Sequence, residues 1–190
     1  MELILIRHGL PVRSEQTDDP PLAEEGRAQA ERTARWLARE RIDAVYSSPM
    51  RRAVETAQPF AALSGHAVTT HEGIVEFDRG SGAYIPLEQL KRDDYPAWKA
   101  FVDGGHAQDI DQFQRSVVDA LEGMIADNPS RTIAVFCHGG VINVWAAHVL
   151  GMPARLFFEP GYASLHRFLC ARGGQRNLLA LNERAPPEAP

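Results

Sequence analysis

The chain has 190 residues, 44% of them hydrophobic and 24% charged, an ordinary composition for one globular domain with a sizeable core. A net charge of −5 excludes a general nucleic-acid footprint, so any cationic site must be local. No stretch approaches the roughly 18 uninterrupted apolar residues of a membrane span, and no membrane partner is expected.

Glu2 to Ile6 is a short Leu/Ile run that stops at Arg7-His8-Gly9, which reads as a buried strand entering a loop. It lacks a basic leader, a longer apolar region and a small-residue cleavage site, so a cytoplasmic protein is expected. Leu10 to Leu22 is polar and broken by Pro11, Pro20 and Pro21. Ala23 to Arg41 then turns helical, with Ala30, Ala34, Leu37 and Ala38 on one face. Ile42 to Tyr46 reads as a second strand. It ends at Ser47-Ser48-Pro49, where Ser48 is placed to cap a helix with Pro49 at its first position, running to about Ala62. A third strand around Ala67 to Thr70 leads towards Glu76.

Phe77 to Gln108 is the least regular part, with several glycines, Pro86, Pro96 and the aromatic residues Tyr84, Tyr95, Trp98 and Phe101. It is expected to form short helices that cover one end of the sheet loosely, as a lid. Ile110, Phe113, Val117, Leu121, Met124 and Ile125 make a helical stripe opposite Asp111, Arg115, Asp119 and Glu122. Thr132 to Phe136 is a buried strand ending at Cys137-His138-Gly139-Gly140, and a helix follows to about Leu150. Two last strands, Ser164 to Cys170 and Asn177 to Leu181, flank an Arg172-Gly173-Gly174 turn. The proline-rich tail, 185–190, is expected to be disordered. Cys137 and Cys170 show no metal-type spacing and read as buried free thiols.

Strands alternating with helices imply a three-layer α/β/α fold with a mostly parallel central sheet and a short lid insertion. The expected organisation is one domain over 1–184, with the lid at about 77–108. Ligands of such sheets bind beyond the carboxyl ends of strands, where both His8 and His138 fall.

Three fragments there could carry chemistry. A histidine after a strand is in general more often structural than nucleophilic. Arg7 beside it, however, offers a guanidinium suited to two phosphate oxygens, and Gly9 would let a ligand approach the backbone. In Ser48 through Ala57, two arginines in a first helical turn oppose the helix dipole. Arg51 reads as a solvated charge and Arg52 as an anion ligand. His138-Gly139-Gly140, between an apolar strand and a helix, reads either as a core histidine or as a donor to a phosphate oxygen.

Together these fragments resemble the histidine phosphatase superfamily, the group that includes cofactor-dependent phosphoglycerate mutases. The resemblance rests on Arg7-His8-Gly9, on Leu22 with Gly26 and Gln29-Ala30, and on Ser48 through Ala57. Glu76, His138-Gly139 and Asn182 follow in order. It implies phosphate binding by Arg7, Arg52, His138 and Gly139, phosphorylation of His8, and proton donation by Glu76, with Asp78 as a neighbouring carboxylate. It departs from the family at Leu10, Pro11, Ser14 and Ala23, so substrate contacts around Leu10 to Ser14 are not carried over.

The implied activity is metal-independent hydrolysis of a small phosphomonoester through a phosphohistidine, with no cofactor. A phosphoglycerate mutase and a non-catalytic phospholigand-binding module on the same fold are the alternatives. The expected partner is a small phosphorylated substrate, with no nucleic acid and no oligomeric state implied.

Overall fold

A computed structural model of the protein describes residues 1–77, 79–102 and 109–186. Strands β1 (Glu2–Arg7), β2 (Ala44–Ser47), β3 (Val68–Thr70) and β4 (Thr132–Cys137) pair in parallel in the order β3-β2-β4-β1. Strands β5 (Leu165–Cys170) and β6 (Arg176–Glu183) extend this sheet beyond β1, antiparallel. The helices are α1 (Glu24–Leu37), α2 (Arg51–Ser64), α3 (Leu87–Asp93), α4 (Tyr95–Val102), α5 (Ile110–Asp127) and α6 (Gly139–Val149).

The strand sequences explain the layering. Alternate residues of a strand face opposite sides, and here both sides are covered, so the strands read as continuous apolar runs. Leu3 and Leu5 join Ile133 and Val135 in a core with Val117, Leu121 and Met124 of α5 and Val141 and Trp145 of α6. Ile4 and Ile6 face the other way, into a core with Ala34 and Leu37 of α1 and Ala57 and Phe60 of α2. The result is the expected three-layer arrangement with a mostly parallel sheet.

Several boundaries differ from expectation for identifiable reasons. α1 stops at Leu37 because the N–H groups of Arg39 and Glu40 close tighter turns onto the carbonyls of Trp36 and Leu37. Ala38 is accordingly exposed and not on the buried face. α2 starts at Arg51, two residues after the expected Pro49. Its first N–H meets Oδ2 of Asp19 at 2.9 Å, and the Ser48 hydroxyl is engaged across the sheet. The segment 77–108 contains α3 and α4, the short helices expected of it; Asp78 and 103–108 lie outside the described residues, as does 187–190 of the tail. Among the described residues no helix is long and apolar enough to cross a membrane.

Candidate active site

β1 and β4 are neighbours with Arg7 opposite Cys137, so the two chains leave the sheet side by side. That register brings His8 and His138, 130 positions apart in sequence, to a ring-centroid separation of 5.2 Å. The N–H of His8 donates to the carbonyl of Cys137 at 3.0 Å and ties the two exits together.

The His8 ring is buried, and its Nδ1 lies 2.8 Å from the Gly9 carbonyl oxygen. A carbonyl can only accept, so Nδ1 carries the proton and Nε2 keeps its lone pair. Burial, then the charges of Arg52 and Arg7, hold this imidazole well below its ordinary pKa, so it is neutral near pH 7. A neutral imidazole with a fixed tautomer among guanidinium groups can act as a nucleophile towards an anion.

His138 caps α6 and is fully buried. Its Nε2 lies 2.8 Å from the Ser48 hydroxyl, which also accepts from the Met50 N–H at 3.3 Å. Burial, then the charges of Arg52, His8 and Arg7, keep His138 neutral as well. Nδ1 has no hydrogen-bond partner among the described residues, and in the tautomer where Ser48 donates to Nε2 it carries the ring proton. Nε of Arg7 likewise has no hydrogen-bond partner among the described residues. Buried donors of this kind are costly unless a ligand meets them.

Arg7 and Arg52 are both buried. Arg52 donates to the Asp18 carbonyl at 2.5 Å and stacks its guanidinium 4.8 Å from the Tyr84 ring centroid. Arg51, by contrast, is exposed and pairs with Glu55 at 2.7 Å, one turn along α2. Glu76 reaches the start of α6, where Oε2 accepts the Gly140 N–H at 2.9 Å and Oε1 accepts the Phe77 N–H at 3.0 Å. A Cβ at Gly140 would collide with that carboxylate, so glycine here admits Glu76 to the site. Gly139 stands between Arg7 and Glu76: a Cβ there would be 3.7 Å from Arg7 Nε and 4.0 Å from Glu76 Oε2.

Gly9 has a packing role that its place after His8 did not suggest. A Cβ on it would lie 2.5 Å from the Gly26 carbonyl oxygen, so the residue permits close packing of the loop on α1. Gln29 accepts the Leu10 N–H and Thr56 accepts the Gly9 N–H, both at 2.9 Å. These contacts fix the loop that presents His8. Asn182, at φ 59°, holds the loop after α6 by accepting from Gly161 and donating to the Glu159 carbonyl.

Sequence reading missed several neighbours. Glu88 of α3 forms a 2.8 Å ion pair with Arg7, and its other oxygen accepts from the Tyr162 hydroxyl at 3.0 Å. Tyr162 also places its ring 3.9 Å from the Arg7 guanidinium. Burial pushes the Glu88 carboxyl up, but the charge and hydrogen bond of Arg7 outweigh this and leave it lowered. Asn143 of α6 accepts the N–H groups of Phe157 and Phe158 and so shapes the same loop. Neither Glu88, in the short helix α3, nor Tyr162, in the turn from Gly161 to Ser164, carried a local sequence signal.

Arg7, His8, Arg52, Glu76 and Gly139 all line one cavity of about 450 Å³, whereas the buried His138 adjoins His8 without lining it. Tyr84, Glu88 and Trp98, all from the segment 77–108, also line this cavity. Leu10, Pro11 and Ser14 do not; Pro11 bridges to Leu22, and Ser14 to Tyr84. No group of three or more metal-ligating side chains gathers among the described residues.

The buried imidazoles have a consequence for stability. His8, His138 and His166 all have lowered pKa values, His166 to about 3, each chiefly through burial. In the unfolded chain imidazole titrates near about 6.5. Below that pH the unfolded state binds more protons than the folded one, so stability falls as pH falls. The limiting slope is about 1.4 kcal/mol per pH unit for each such histidine. Urea unfolding between pH 7 and 5 should show this decline, and His166→Gln should flatten it; a level profile would contradict the neutral assignments.

Residues 3–184 match the family model of the histidine phosphatase superfamily (branch 1). The chain is 28% identical over 173 residues to phosphoserine phosphatase 1 of Hydrogenobacter thermophilus, covering 85% of this chain and 82% of that one. It is 30% identical over 156 residues to phosphoglycerate mutase-like protein 4 of Arabidopsis thaliana, covering 75% and 68%. The structure superposes on phosphoserine phosphatase of Entamoeba histolytica, solved with 3-phosphoglyceric acid, with a TM-score of 0.77, 26% identity and 96% coverage of both chains. A match across nearly the whole chain, on a fold whose adjacent strand ends bring His8 and His138 together, places this protein in the histidine phosphatase superfamily.

Proposed function

We propose that the protein is a phosphatase that hydrolyses a phosphomonoester through a phosphohistidine at His8. The observation that carries this reading is the neutral His8 imidazole, its Nε2 lone pair fixed by the Gly9 carbonyl, between two buried arginines. The relatives named phosphatases support the same reaction class.

In the proposed cycle, Arg7 and Arg52 hold the phosphoryl oxygens and His138 adds a donor from Nδ1. Such positioning and charge compensation supply most of the catalysis in phosphoryl transfer. His8 Nε2 attacks phosphorus as the bond to the ester oxygen breaks, and Glu76 gives that oxygen a proton. Each Glu76 oxygen accepts one backbone N–H, which leaves room for the proton it must carry. Water then attacks the phosphohistidine, returns a proton to Glu76 and frees phosphate and His8. The cycle uses neither metal nor cofactor. Residues 1–184 form the catalytic unit in this reading, with 77–108 as its lid. Two buried thiols without a disulfide suit a reducing compartment such as the cytoplasm.

The test is a phosphate-release screen over p-nitrophenyl phosphate and a panel of alkyl phosphates, with the His8→Ala protein as blank. His8-dependent phosphate release is the expected result. The likeness to a mutase-like protein keeps one other acceptor in view. Rapid conversion of 3-phosphoglycerate to 2-phosphoglycerate with catalytic 2,3-bisphosphoglycerate, and little free phosphate, would move the assignment to a mutase.

A further inference from the structure

Resting on the phosphatase reading, we infer that the cavity selects phosphomonoesters whose alcohol part is uncharged, apolar and about the size of an aromatic ring. The floor of the cavity carries the polar machinery, and the walls are of a different chemistry. Ile85, Leu90 and Trp98 come from the lid, and Leu156, Phe157 and Phe158 from the loop after α6. Among the described residues, Arg7 and Arg52 are the arginines and lysines that line it, and both sit where the phosphoryl group would be held.

The other charged residues that line the cavity are acidic. Glu88 lines the cavity with one oxygen already on Arg7, and Glu159 lines it too. Lys91 stands close to Trp98, 4.5 Å from its ring centroid, but its ammonium is matched by Glu159 at 2.6 Å. An alcohol part bearing a carboxylate would therefore lose its water against apolar walls, with Arg7 already paired to Glu88 and Lys91 to Glu159. Burying a charge without a partner is heavily disfavoured. An aromatic alcohol part would instead gain from covering Trp98 and the phenylalanines. A cavity of 450 Å³ is also more than a three-carbon acid needs, and it lies within the usual range of about 300–1,000 Å³ for ligands of drug size. Trp98 is thus a specificity-determining residue for the alcohol part.

The test compares 2-phenylethyl phosphate with phosphoserine and 3-phosphoglycerate, all alkyl esters, so leaving-group chemistry does not decide the outcome. The phenylethyl ester should have a kcat/KM roughly ten- to a hundred-fold higher, the size expected for one buried aromatic group. Trp98→Ala should lower kcat/KM for the phenylethyl ester several-fold more than for phosphoserine or 3-phosphoglycerate, mainly through KM. Equal or better use of phosphoserine or 3-phosphoglycerate by the wild type would overturn the inference, even while phosphate release upheld the phosphatase. Calorimetry on the His8→Ala protein reads the preference without turnover. There, tighter binding of phenylethyl phosphate supports the inference and tighter binding of phosphoserine overturns it, whichever way the activity screen falls.

Discussion

Replacing His8 with alanine should lower kcat by roughly 10⁴-fold or more, the scale seen when a covalent nucleophile is removed. The substitution takes away the only atom in the site proposed to bond to phosphorus, and leaves Arg7 and Arg52 in place to bind it. Binding of inorganic phosphate or vanadate should therefore persist while turnover disappears. The fold should persist too. The His8 ring hydrogen-bonds to the carbonyl of the next residue, and its removal relieves a buried imidazole that burial and the arginines keep uncharged. Circular dichroism with steady-state kinetics checks both points. A folded His8→Ala protein with near wild-type turnover would leave a binding module or a different nucleophile as the better account.

The second large effect should come from Glu76. Glu76→Gln keeps the shape and one acceptor oxygen but cannot deliver a proton. Alkyl phosphates, whose leaving oxygen needs protonation, should slow by roughly 10²–10⁴-fold, the usual range for a general acid. p-Nitrophenyl phosphate needs far less protonation and should lose much less. The ratio between the two substrates is the diagnostic quantity, because a merely structural defect would reduce both alike. Equal losses would remove Glu76 from the acid role, and a larger loss from Asp78→Asn would transfer that role to Asp78.

Much of this arrangement was legible in the sequence because it depends on short local patterns. Leu3 to Ile6 read as a buried strand, since a run that is apolar at every position must be covered on both faces. His8 and His138 stood out at the ends of such runs, and parallel pairing of β1 with β4 did the rest. What the sequence hid was contact between distant segments. Ser48 looked like a helix cap by local preference, yet its hydroxyl meets His138 ninety positions away and Asp19 takes over at the helix start. Glu88 reaches Arg7 across 81 positions from a segment with little periodicity. Gly9 looked like a place for ligand approach, and only the packed structure reveals Gly26 against it. Local pattern thus picks out the candidate reacting groups, whereas the residues that orient them and shape the pocket follow from tertiary packing.

The central claim is covalent chemistry at His8, and trapping the phosphoenzyme tests it most directly. Enzyme mixed with an excess of p-nitrophenyl phosphate, stopped in denaturant within milliseconds and kept alkaline, should carry one phosphoryl group per chain. That group should be acid-labile, map by mass spectrometry to the peptide containing Arg7-His8-Gly9, and be absent from His8→Ala. A phosphoryl group that survives acid on a serine or threonine, or a burst of product with no protein-bound phosphate at any time, would contradict the account.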